Sequence, residues 1–548
     1  MAKRDAPEVT VEQGRLRGRW EGKGDQATAV FKGVPFAAPP VGDLRWRAPR
    51  PAESWDGVRE ARKDGPMAIQ MAAMLDVFIH EVLTGQGWGP LRVGAVGTAL
   101  KYAPKPKQSE DCLYLTVRSP DPSPGANLPV MVWIHGGDHQ DGSGSDPYYQ
   151  ANALAGRDVV TVAINYRLGV LGYLAHPEMS AESDQGVAGN YGTLDQIAAL
   201  EWVRDNISGF GGDPSNVTVF GESAGGESVM HMMTSPLARG LFHRAVPQSA
   251  ANSGQMLHLD RPFQHLESAY DRAASFTAAV GVSGRDQLTW LRAMSPAQLY
   301  EVARADWLVG NQFPAIDGYV LPESPFSAFA GGRQAPVPMM IGSNSDEGTL
   351  LRPVLGAPMI DFAARPLPET GLQPEIAEAF GDDMARLVEI YPGLDERDLK
   401  AEIDFMGDHM FGARAYYYAR HHQAAGNSTF LYFFSRVPNN PKQRAGAFHA
   451  AELPFVHGSS VPIFPMSADD KVLSGEMVGY WTDFAATGNP NGNGTSERVV
   501  FPAFEPDAPQ WLRLDHSIEA QPVERRAQYE IFNSRTDRLV AAMTAGAS

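Results

Sequence analysis

The chain has 548 residues, 43% of them apolar and only 20% charged, which excludes a disordered, solvating chain and leaves material for a large core. Forty-six basic against 64 acidic residues give a net charge of −18, a sign that disfavours nucleic acid and anionic membrane surfaces as partners. One cysteine, Cys112, allows no intrachain disulfide and no multi-cysteine metal cage.

The charged amino terminus, Met1 to Gln13, lacks the apolar core of a signal peptide, and no apolar run reaches membrane-spanning length. A soluble, cytoplasmic protein is expected. Length alone allows three or four domains, but no repeat or low-complexity tract divides the sequence, so residues 1–548 read as one domain with insertions.

The first 120 or so residues are proline-rich with short alternating runs, which predicts antiparallel strands flanking a main sheet. Residues 66–108 form a rim insertion, with a helix expected from Met67 to Leu83 carrying Met71, Met74, Leu75, Phe78 and Val82 as core. Short apolar runs then deliver the chain into polar turns. Val130–Ile134 ends at His135-Gly136-Gly137, Val159–Ile164 at Asn165-Tyr166-Arg167, and Val217–Phe220 at Gly221. Farther on, Val337–Ile341 ends at Gly342-Ser343-Asn344, and Thr429–Phe434 at Ser435-Arg436. Such runs are buried strands. A helix is expected over Asp195–Ile207, with Ile197, Leu200, Val203 and Ile207 on one stripe. The alternation predicts an α/β fold, a mostly parallel sheet covered on both faces by helices. Stretches 255–335 and 350–425 read as helical, cap-like insertions above the carboxyl edge of the sheet, where open α/β sheets place their sites. The tail after about residue 535 ends in small residues and is expected to fray.

Gly221-Glu222-Ser223-Ala224-Gly225 is the one Gly-x-Ser-x-Gly in the sequence, with a strand before it and a helix-capable run, Gly226 to Met233, after it. A serine on so sharp a strand-to-helix turn sits in a strained backbone, and glycine on either side removes the clash. The helix starting there directs its positive dipole end at the reacting group.

The stretch from Phe210 through Gly225 resembles the signature of the type-B carboxylesterase family. So do Phe31–Pro40, Ser109–Leu115, Asn165–Gly169 and Trp481–Ala485, and the likeness runs from about residue 8 to 515. It implies an α/β-hydrolase fold and serine hydrolysis of carboxylic esters. Serine needs a base, and the base a group that fixes its tautomer. By resemblance the acid lies in Ser345-Asp346-Glu347-Gly348, as Glu347 with Asp346 the alternative, and the base in Ala447–Phe455, as His449. His457 also lies near the right place in chain order but lacks that block. The resemblance assigns the oxyanion donors, each worth about 2.7–4 kcal/mol, to backbone N–H groups of the loop Gly136-Gly137-Asp138 and to Ala224.

Three positions depart from the family. Asp138 stands where glycine or alanine is usual, and a carboxylate in the hole would oppose the oxyanion, so its side chain is expected to face away, toward His139. Glu227 stands where small residues are common and suits the helix dipole. Cys112 has no upstream partner cysteine, the position being occupied by Ile69 or a neighbour, and reads as a buried structural thiol. Glu222 either tunes His449 or serves as an ordinary hydrogen-bond partner.

The reading is a serine carboxylesterase for neutral, hydrophobic or aromatic small-molecule esters, acting through an acyl-enzyme without metal or organic cofactor. Amide, carbamate or lactone hydrolysis by the same site is the alternative, and a catalytically silent binding protein on this fold a more distant one. Apolar residues of the insertions (Phe78, Leu83, Trp88, Trp307, Phe313, Phe405, Phe411) point to the hydrophobic substrate. Oligomeric state is left open.

Overall fold

The computed structural model describes the chain except residues 1–4, 25–26, 71–79, 81, 103–105, 150–151, 251–255, 264–265, 306–309, 350–379, 397, 438–441, 461–464, 495–496 and 547–548. Fourteen strands occur among the described residues. In chain order they are β1 Glu8–Val11, β2 Gly14–Arg17, β3 Arg19–Glu21, β4 Thr28–Pro35, β5 Val58–Glu60, β6 Tyr114–Ser119 and β7 Leu128–Ile134. They continue as β8 Val160–Ile164, β9 Gly212–Glu222, β10 Arg244–Gln248, β11 Met339–Asn344, β12 Thr429–Phe434, β13 Gln510–Leu514 and β14 Ile518–Pro522.

Eleven of them form one sheet in the order β14-β13-β12-β11-β10-β9-β7-β8-β6-β4-β3, while β1, β2 and β5 make a small separate sheet. Pairings from β13 across to β8 are all parallel, and the outer pairings are antiparallel. The mostly parallel sheet and its antiparallel flank from the first 120 residues thus match the pattern in the sequence. Strand β7 shows why the parallel strands read as unbroken apolar runs. Val130, Val132 and Ile134 enter one core while Met131 and Trp133 enter another on the opposite face. Both faces are covered, so neither alternate set needs to be polar.

Helices fill the long connections. Ala269–Ala279, Gln287–Ala293, Pro296–Ala305 and Pro325–Ala330 lie within 255–335, and Met384–Ile390, Leu399–Gly407 and Ala413–Ala424 within the described part of 350–425. Two local expectations fail. Met67 does not begin a helix, because its N–H donates to the Lys107 carbonyl and its carbonyl accepts from Ser109; 71–79 and 81 lie outside the described residues, 80 and 82–85 are helical, and a further helix runs Pro90–Tyr102. The tail does not fray at 535 either. Helix Arg526–Gly546 is anchored where buried Thr536 accepts a hydrogen bond from buried Arg414.

Candidate active site

The carboxyl ends of β7, β9, β10, β11 and β12 bring distant residues together. Strand β9 ends at Glu222 and a helix, Ala224–Thr234, starts after a single residue, Ser223, which is forced to φ 57°, ψ −126°. Its N–H donates to the Gln248 carbonyl at the end of β10. The flanking glycines are dictated by contact. A Cβ on Gly221 would sit 2.5 Å from the Gly225 carbonyl oxygen, and one on Gly225 2.1 Å from that of Ile134. Any side chain there would push the turn off the sheet.

Beyond β11, Glu347 is buried and both its oxygens are engaged. Oε1 accepts from Ser249 Oγ at 2.6 Å and from the Asn344 N–H at 2.7 Å, while Oε2 lies 2.6 Å from His449 Nδ1. The adjacent Asp346 is occupied elsewhere, accepting from the Ala447 N–H and Ser345 Oγ, so it ties the β11 loop to the loop that carries His449. His457 is sealed edge-on against Trp133, and burial lowers its pKa to about 3.

The other nitrogen of His449, Nε2, lies 3.2 Å from Glu222 Oε1. No hydrogen bond joins Ser223 Oγ to the imidazole among the described residues. Burial disfavours imidazolium, but the charges of Glu222 and Glu347 and the Glu347 hydrogen bond outweigh it and raise the His449 pKa to about 9. Burial, then the charges of Glu452 and Glu347, raise Glu222 to about 8 against the opposing pull of His449. These values describe a proton shared by the pair. The imidazole is thus clamped between two carboxylates, hydrogen-bonded to Glu347 through Nδ1 and facing Glu222 Oε1 through Nε2 without a hydrogen bond.

On the opposite flank, the loop after β7 folds over the turn. A Cβ on Gly136 would stand 3.1 Å from Ser223 Cβ. Gly137, Asp138 and His139 adopt φ of 104°, 53° and 56°. Among the described residues no protein group accepts from the N–H groups of Gly136, Gly137 or Asp138, and Ala224 supplies the first N–H of its helix. The Asp138 carboxyl is pushed up to about 8 by burial and then by the charges of Glu227 and Asp141.

Sequence reasoning missed the frame behind these groups. Asn344 Nδ2 donates to Glu452 Oε2 and to the Phe448 carbonyl, Gln248 Nε2 donates to Glu452 Oε1, and Trp481 Nε1 donates to Gln248 Oε1. Glu452 and Trp481 stand inside the family blocks, a signal that was available. Phe411 lies on the His449 ring with centroids 4.6 Å apart, placed by one π-turn, Asp408–Gly412. Of the other apolar candidates, Phe405 is core, packed with Phe380, Tyr391 and Phe532. Trp88 is half-buried under Arg92, and Phe78 and Trp307 fall outside the described residues. Cys112 is buried, which pushes its thiol pKa up, and it lines one small space with Ile69. Among the described residues no group of three or more His, Cys, Asp or Glu side chains is arranged to hold a metal ion.

A parallel sheet with a strained serine between strand and helix, and a carboxylate–histidine pair on loops beyond later strands, defines an α/β-hydrolase. Residues 5–532 match the model of the carboxylesterase family, and the chain belongs to it. It is 35% identical to the para-nitrobenzyl esterase of Bacillus subtilis over 96% of this chain and 99% of that one. With the fumonisin B1 esterase of Sphingopyxis macrogoltabida it shares 36% identity over 88% of this chain and 82% of that one. A solved carboxylesterase of Geobacillus stearothermophilus superposes with a TM-score of 0.75 at 30% identity, covering 96% and 99% of the two chains. The protein is a carboxylic ester hydrolase. No helix among the described residues is long and apolar enough to cross a membrane.

Proposed function

We propose that Ser223 is the nucleophile, His449 the general base and then acid, and Glu347 the carboxylate that orients His449. The observation that carries this reading is the 2.6 Å contact between His449 Nδ1 and Glu347, at the carboxyl edge where Ser223 is held at positive φ. Glu347 fixes the tautomer that leaves Nε2 to take the serine proton. Ser223 Oγ attacks the ester carbonyl, and the N–H groups of Gly136, Gly137, Asp138 and Ala224 receive the oxyanion. The leaving alcohol takes the proton back from His449, and water repeats the sequence to release the acid. The clamp described above opens when Glu222 carries the shared proton, which frees Nε2 for Ser223.

The substrates are neutral small-molecule esters with a hydrophobic or aromatic part. Phe411, packed on the imidazole, supports an apolar wall beside the departing alcohol, and the net charge of −18 disfavours anionic esters. A cytoplasmic location is in keeping with a single, buried, unpaired thiol. The test is stoichiometric labelling by an organophosphate, located by peptide mass spectrometry, beside turnover of para-nitrophenyl esters of graded acyl length. Label on Ser223 with loss of turnover is expected; turnover that survives full labelling of Ser223 overturns the assignment.

A further inference from the structure

The sequence contains two Asn-Gly pairs, Asn491-Gly492 and Asn493-Gly494, both on the turn that leaves helix Ala468–Thr487 on the way to β13. In such a pair the main-chain nitrogen after the asparagine has no neighbouring side chain to keep it from the asparagine Cγ. The local sequence is the same for both, but the fold treats them differently. Asn491 is half-buried and its amide is closed in. Nδ2 donates to the Phe501 carbonyl and to Asn489 Oδ1, both at 3.0 Å, and Oδ1 accepts from the Phe501 N–H at 2.7 Å. Its own N–H donates to Asn489 Oδ1, and a Cβ on Gly492 would lie 3.1 Å from Asp483 Cγ. Asn493 and Gly494 are exposed. Among the described residues no hydrogen bond holds the Asn493 side chain, and a Cβ on Gly494 would meet nothing within 4 Å. In both pairs the glycine N–H closes a turn, Gly492 onto the Asn489 carbonyl and Gly494 onto that of Asn491, so this bond does not distinguish them. To bring its amide carbon onto the glycine nitrogen, Asn491 must give up three side-chain bonds that Asn493 does not make. Each such bond slows the step by about two- to tenfold.

We propose that Asn493 is a site of spontaneous succinimide formation in the folded protein, from which Asn491 is protected. The Gly494 N–H gives its proton to hydroxide and its nitrogen bonds to Asn493 Cγ. The side-chain nitrogen leaves as ammonia with a proton taken from water, which regenerates the hydroxide. Water then opens the imide at one of its two carbonyls and leaves an aspartyl or an isoaspartyl residue at position 493. Either product carries a carboxylate that is ionised at neutral pH. The chain, already at −18, thus ages into more acidic forms while the clasp between Asn491 and Phe501 holds. The isoaspartyl carboxylate is of the chemical class that isoaspartyl methyltransferases methylate from S-adenosylmethionine.

The experiment incubates the whole protein in mildly alkaline buffer, native and unfolded in urea, and follows both sites with time by peptide mass spectrometry after digestion at acidic pH. Labelling with S-adenosylmethionine and an isoaspartyl methyltransferase reads the isoaspartyl fraction of each peptide. Each site's native rate is divided by its rate in the unfolded chain, which removes any intrinsic difference between the two. That ratio is expected to be at least about tenfold higher for Asn493 than for Asn491. Equal ratios, or a higher one at Asn491, overturn the proposal. So does an Asn493 that stays intact in the native protein for as long as the unfolded chain takes to convert both sites. Asn489→Ala removes the oxygen that accepts two of the Asn491 bonds. It is expected to raise the Asn491 ratio and leave that of Asn493 unchanged; an unmoved Asn491 ratio overturns the clasp as the cause of protection.

Discussion

Ser223 stands between two buried groups of carboxylates and imidazoles that are built on opposite plans. On the His449 side one imidazole faces several acids, and both oxygens of Glu347 and of Glu452 accept from named donors. On the Glu227 side two imidazoles, His139 and His231, face one acid, and three of their ring nitrogens have no hydrogen-bond partner. The closed network fixes Glu347 and Glu452, and through them the imidazole, while Glu222 Oε1 stays without a hydrogen bond and free to release Nε2. The open one keeps polar groups desolvated and unmet, at a cost to the folded state.

Substitutions can break or sharpen this contrast. The largest effect belongs to the serine between the two groups: Ser223→Ala should cut kcat by about 10⁴-fold or more with an unchanged circular dichroism spectrum. Glu347→Gln removes the charge and the tautomer lock at the heart of the closed side, and kcat should fall about 10³–10⁴-fold. Asp346→Asn should cost less than about tenfold, because its contact is with the Ala447 amide and not the imidazole. Comparable losses in the two variants would dissolve the assignment of the acid.

Asn344→Ala leaves Glu452 Oε2 bare and should destabilise by about 1–3 kcal/mol, read as a lowered denaturation midpoint. Glu222→Gln acts through charge. Glu222 helps to raise the His449 pKa, so its loss lowers that pKa. The imidazole must be neutral to accept the serine proton, so the acid limb of kcat/KM against pH should move to lower pH; a shift to higher pH would contradict the clamp. The smallest effect is expected on the open side. His231→Phe exchanges a partnerless imidazole for an apolar ring, and stability should stay within about 1 kcal/mol.

Much of this was legible from the residues. The apolar runs at 130–134, 159–164, 217–220 and 429–434 are strands because a doubly covered parallel sheet has no polar face to hide them. Strand β10 was not legible: Arg244-Ala245-Val246-Pro247-Gln248 carries a charge, a proline and an amide in five residues, yet it lies between β9 and β11. Its Gln248 is polar because its side chain serves the frame of the site, accepting from Trp481 Nε1 and donating to Glu452. The contact of Glu227 with His139 was hidden for another reason. Glu227 had an adequate local explanation in the helix dipole, and only the fold over the elbow brings His139 to it.

The π-turn at Asp408–Gly412 has a consequence for how the molecule is made. Asp408 is pinned by Arg525 and Tyr391, with Tyr529 close by, and the same turn presents Phe411 to the imidazole. The aromatic buttress behind the base is therefore braced by a segment that leaves the ribosome well after it, 117 residues further along the chain. A ribosome-bound chain can assemble its central strands early, but it gains a finished reaction chamber only once residues 525–529 have emerged and docked.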